Sequence, residues 1–131
     1  MANTSPVGLG ETLHTPEWVE TCKAGGSISK GQAVKLSSAP GADGIATVVA
    51  TTAATEVGYG VALKSGASGD YIPVLKQGYV TVTAAGAINA GGTISVAANG
   101  KVAAQSTNPF FGYAITAASA DGDTLLVRVV V

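Results

Sequence analysis

Apolar and polar residues alternate along this chain in short runs, and no long stretch carries the 3.6-residue apolar period of an amphipathic helix. Thr93-Ile94-Ser95-Val96 and Lys101-Val102-Ala103 alternate on either side of Asn99-Gly100. That dipeptide accepts the two positive φ values of a type I′ turn, so the segment predicts a β-hairpin. Tyr79-Val80-Thr81-Val82-Thr83 alternates too, with β-branched residues suited to a half-buried pleated surface. Leu125 to Val131 is almost continuously apolar and predicts a strand covered on both faces. Pro73 lacks an amide hydrogen, which marks Tyr71–Leu75 as an edge or bulged strand. Ala46 to Thr55, rich in Ala and Thr, predicts a loop or a short helical turn.

The pattern occurs twice. Gly26 to Leu36 matches Gly86 to Val96, with Ile28 against Ile88, Gly31 against Gly91, Val34 against Ile94 and Leu36 against Val96. Asp43-Gly44 aligns with Asn99-Gly100, and Gly58-Tyr59-Gly60-Val61-Ala62 with Gly112-Tyr113-Ala114-Ile115-Thr116. Gly69-Asp70 then aligns with Gly122-Asp123. A repeat of about 55 residues buries too little surface to fold well alone. The expected fold is therefore all-β: a sandwich or barrel in which two units, about 26–78 and 86–131, pack face to face as one domain over 26–131. Residues 1–25 lie outside the repeat, hold Pro6, Pro16, Gly8 and Gly10, and predict an extended N-terminal arm. Leu13, His14, Trp18 and Val19 are its candidate partner-binding residues, because buried apolar and aromatic anchors dominate interface energetics.

Composition sharpens this picture. Aromatic residues are 5% and charged residues 11% of the chain, so the 47% apolar fraction is largely Ala and Val, and the core is thin per residue. Cys22 is the only cysteine and excludes an internal disulfide. Association with other chains is the support that remains. The net charge of −1 and the dispersed basic residues give no footprint for nucleic acid. The first 22 residues hold Glu11, Glu17 and Glu20 and no basic residue, leaving seven basic against five acidic residues beyond them. No charged and apolar leader opens the sequence, and no apolar run reaches about 18 residues, which predicts a protein made in the cytoplasm with no membrane partner.

Catalytic, cofactor and metal motifs are not found. His14, the only histidine, falls in the arm, away from any scaffold that would fix its tautomer for a Ser-His-acid triad. Gly58-Tyr59-Gly60 resembles the start of a nucleotide loop but has neither a third glycine nor a following helix, and predicts close backbone packing beside a strand. Asp121-Gly122-Asp123 has no further ligands at calcium-loop spacing and predicts a turn, as does Gly69-Asp70. Tyr59, Tyr71, Tyr79 and Tyr113 are too dispersed for a base-stacking platform; Tyr59 and Tyr113 align as equivalent packing residues.

From Gly26 to Val131 the sequence resembles the capsid cement, or head decoration, proteins of tailed bacteriophages. The resemblance rests on ISKGQAVKLSS, GYGVALKSGASGDYIPVLKQGYV, AGAINAGGTISVAANGKVAA and FGYAITAASADGDTLLVRVVV, which keep the family's order and spacing. It implies a non-enzymatic, cofactor-free all-β subunit, often trimeric, on the outer surface of the capsid, with the major capsid protein as partner and the virion as location. Two alternatives stay open from the sequence: a tail or baseplate accessory protein, and an extracellular β-rich adhesin. An enzyme that combines dispersed acids such as Asp70, Asp121 and Asp123 across an oligomer interface is a further class.

Overall fold

A computed structural model describes residues 17–131 as an all-β fold, with one 3-10 turn as the only helical element among them. The strands are β1 Trp18–Ala24, β2 Ala33–Ser38, β3 Thr47–Ala50, β4 Gly60–Ala62, β5 Tyr71–Thr83, β6 Thr93–Val96, β7 Val102–Ala104, β8 Gly112–Ala114 and β9 Thr124–Val130. They are hydrogen-bonded in the order β1-β3-β2-β4-β5-β9-β8-β6-β7, and β1 also pairs with β5. That pairing closes β1, β3, β2, β4 and the first half of β5 into one ring. The second half of β5 pairs with β9, and a parallel bridge from Ala84 to Val102 closes a second ring through β8, β6 and β7. The two rings are therefore joined through β5.

Hydrogen bonds confirm the duplication and correct its register. Ile28 exchanges bonds with Gly66, and Ile88 does the same with Ala118. Val34 pairs with Gly60, and Ile94 with Gly112. The amides of Tyr59 and Phe111 reach the carbonyls of Val34 and Ile94 at 2.7 and 2.8 Å. Tyr59 is thus equivalent to Phe111, and Tyr113 to Val61; the sequence alignment of this block was two residues out. A slip of two preserves the in–out alternation of a strand, so the apolar pattern could not expose it. Glycine is required at the true equivalents. A Cβ on Gly60 would lie 2.5 Å from the Leu75 carbonyl oxygen, and one on Gly112 2.1 Å from that of Arg128.

The repeat begins earlier than expected. Residues 18–24, assigned to the arm, are β1, a strand of the first ring, and they correspond to the second half of β5. The Ala-Thr-rich segment contributes β3. Pro73 sits in β5, which is paired on both sides instead of lying at an edge. Its carbonyl still accepts from Leu63, one residue beyond β4, so the missing amide falls where that ladder ends. The bulge occurs at Lys76, where β1 skips from Trp18↔Gln77 to Val19↔Leu75. β9 buries one face only; Leu126, Arg128 and Val130 are part-exposed on the other.

The interior of the first ring is built on Cys22, Ile28, Val34, Val48, Ile72 and Val74. Ala33, Val61 and Leu75 alternate with such residues, point out of the first ring, and are buried with Val96, Phe111 and Val129 of the second. The outer face of β2, β4 and β5 therefore covers the open end of the neighbouring ring. Gly58 permits this approach, since a Cβ there would stand 2.4 Å from Phe111.

Candidate functional site

The corresponding open end of the first ring is not covered by any described residue. The inward-facing row of β1 starts with Trp18 and Glu20 and continues to Cys22 and Ala24. That of β5 runs from Ile72 and Val74 to Lys76. Tyr59 enters just before β4, and Leu36 lies near the end of β2. Trp18, Glu20, Leu36, Tyr59 and Lys76 thereby form a rim around the ring's mouth.

The rim's polar groups are tied together. Tyr59 donates its hydroxyl hydrogen to Glu20 Oε2, and the Cys22 thiol donates to the same oxygen at 3.7 Å. The bond to Glu20, with burial and the carboxylate's charge, pushes the Tyr59 phenol up to about 12. The Lys76 ammonium sits 3.2 Å from the centre of the Tyr59 ring and 5.8 Å from that of Trp18, within range of cation–π attraction. Burial lowers the Lys76 pKa, and the Glu20 charge works against that shift. Beside the rim, Lys35, Leu36, Glu56, Val57, Gly58 and Tyr59 line a groove of about 330 Å³. Leu36 and Val57 are 51% and 70% exposed there.

Of the residues proposed from sequence, Trp18 and Val19 lie at the start of β1, 51% and 44% exposed. They point to opposite faces, Trp18 into the rim and Val19 outward. Leu13 and His14 lie outside the described residues. The rim residues Glu20, Leu36, Tyr59 and Lys76 were missed. Their signal is the contrast between copies in correct register: Val80, Val96, Phe111 and Val129 occupy the equivalent positions and make the second mouth wholly apolar. Gly69-Asp70 and Gly122-Asp123 are turns, with the Asp carboxylates accepting from the amides of Ala67 and Ala120 at 2.9 and 3.1 Å. Asn99 (φ 61) and Gly100 (φ 69) adopt the expected left-handed pair.

The described residues thus form a doubled β-ring with Trp18 exposed at the rim of the first ring. A family model described as phage cement protein matches residues 14–129, and the chain belongs to that family. It is a structural protein of the phage capsid. The fold is shared with a solved structure, the head fiber gp8.5 N base of bacteriophage phi29, at a TM-score of 0.67 and 20% identity. That likeness covers 87% of this chain and 94% of the other. No curated protein sequence matches this one.

Proposed function

We propose that the protein binds the outer surface of the capsid, contacts the major capsid protein there, and stabilises the mature shell as a homotrimer without catalysing a reaction. Family membership carries this proposal. A ligand that binds the mature shell and not its immature or dissociated form stabilises the mature form by mass action. An oligomer that engages several shell subunits gains avidity with no new type of contact. Leu13, His14, Trp18 and Val19 are the proposed partner-binding residues, with Trp18 and Val19 on opposite faces of β1. Synthesis in the host cytoplasm follows from this role.

The test is saturable binding of purified protein to mature capsids and to immature shells, with capsid melting followed in parallel. Binding to mature capsids, with a raised capsid melting temperature, is the expected result. A chain lacking residues 1–16 tests Leu13 and His14 without deleting β1, and Trp18→Ala tests the tryptophan; truncation at residue 25 would remove a ring strand. No binding to either shell would overturn the proposal.

A further inference from the structure

The joint between the two rings has two sides, and each side has a repeat-related twin that no described residue covers. On one side is the mouth of the second ring, with Val96, Phe111 and Val129 buried. Its twin is the open rim of the first ring. On the other side is the outer face of β2, β4 and β5, with Ala33, Val61 and Leu75 buried. By strand register its twin is Thr93, Tyr113 and Arg128 on β6, β8 and β9. This face is open. Tyr113 is 43% exposed and meets Phe110 edge to face at 5.2 Å, and Ile115 and Tyr79 flank them, also exposed. Arg128 lies in register between Tyr79 and Tyr113, and its Nε is hidden from solvent with no hydrogen-bond partner among the described residues.

We propose that these two leftover surfaces bind each other between copies of this chain, the first-ring rim of one molecule against the β6-β8-β9 face of the next. Charge supports the match: Glu20 at the rim is opposite in sign to Arg128, the charged residue of the aromatic face. Chain direction supports it as well. β5 runs unbroken from one ring to the next within a molecule; between molecules, β9 of one copy would end where β1 of its neighbour begins. The second joint is related to the first without being identical, because Phe110 stands where Gly58 leaves room for Phe111. The contact is heterologous, so it joins different patches and can close into a cyclic assembly.

The inference rests on the proposed self-association and is independent of capsid binding. Its test uses Leu36→Glu at the rim and Tyr113→Glu on the outer face, both at exposed positions, with sedimentation equilibrium as the readout. Each variant alone is expected to fall to the monomer mass of 12.8 kDa. Mixed together, they are expected to form a one-to-one dimer and nothing larger, since each retains the surface the other has lost. Circular dichroism checks the folds, and Leu36→Ser with Tyr113→Ser repeats the test should either glutamate variant misfold. A monomeric wild type, a single variant that keeps the wild-type mass, or a mixture that forms no dimer would overturn the proposal. Capsid binding by the wild type, measured separately, shows whether the cement role stands when this contact does not.

Discussion

Cys22 lies wholly inside the first ring, where burial, assisted by the neighbouring Glu20 carboxylate, pushes its thiol up to about 12. The thiolate is the reactive species, so this cysteine is inert in the folded protein. Iodoacetamide at pH 8 is expected to leave the native chain unlabelled and to label it fully in denaturant; rapid native labelling would show that the ring opens. Glu56 behaves oppositely. Its carboxylate accepts from the Lys35 ammonium, from the Thr52 hydroxyl at 2.6 Å, and from the amides of Thr52 and Ala53 at 2.7 and 3.1 Å. The Lys35 contact is the largest cause holding its pKa at about 2, against an ordinary 4.5. A depressed carboxyl pKa stabilises the fold above the unfolded value, and the contribution disappears as pH falls from about 4.5 through about 2. Glu56→Gln is therefore expected to reduce stability at pH 7 and to flatten the acid limb of the stability curve. The group is partly exposed, so the loss is about 1 kcal/mol or less. Urea unfolding at pH 7 and pH 3 measures both; equal losses at the two pH values would refute the assignment.

Between elements, the hairpin of β6 and β7 does more than reverse the chain. Its tip reaches the first ring: the Gly100 amide donates to the Thr51 carbonyl at 3.0 Å, Thr51 Oγ1 donates to the Ala97 carbonyl at 2.7 Å, and Gln32 Nε2 donates to the Asn99 carbonyl at 3.1 Å. A Cβ on Gly100 would stand 2.6 Å from that of Gln32. The equivalent hairpin of the first ring carries Gly44 at φ +72 with nothing near it. Gly44→Ala then meets only the left-handed backbone penalty of about 1 kcal/mol, whereas Gly100→Ala also forces the rings apart and is expected to cost at least about 1 kcal/mol more. Chemical denaturation of the two variants tests this, and equal losses would mean that the tip contributes nothing to the joint. Asn99-Gly100 made this hairpin legible in the sequence. β1 was not legible, because its inward row of Trp18, Glu20, Cys22 and Ala24 mixes aromatic, acidic and small residues and gives no apolar alternation. β3 is only four residues long and lies in the Ala-Thr-rich segment from Ala46 to Thr55, whose composition favoured a loop. The rim was hidden for the same reason as β1, compounded by an alignment that matched Tyr59 to Tyr113 instead of Phe111.

At the scale of the whole molecule, β5 decides how stability is shared. Its 13 residues serve the first ring up to Gln77 and the second from Gln77 onward, so neither ring can close without it. Ala33, Val61 and Leu75 belong to the first ring by pairing and to the second by burial. Opening the second ring would expose them along with its own core, and opening the first would remove the cover from Phe111. The rings should therefore unfold together, as two-state domains of this size do. The chain supplies its own reporters: its only tryptophan, Trp18, begins the first ring, and its only two phenylalanines, Phe110 and Phe111, lie in the second. Fluorinated Trp and Phe therefore give one fluorine NMR signal set per ring. Leu125, 2% exposed inside the second ring, is the place to weaken one side, and Leu125→Ala should cost about 2–5 kcal/mol. If β5 and the shared interface couple the rings, both signal sets move to the same lower denaturant midpoint. If the phenylalanine signals shift while the Trp18 signal holds its wild-type midpoint, the rings are independent units, and β5 joins them without transmitting stability.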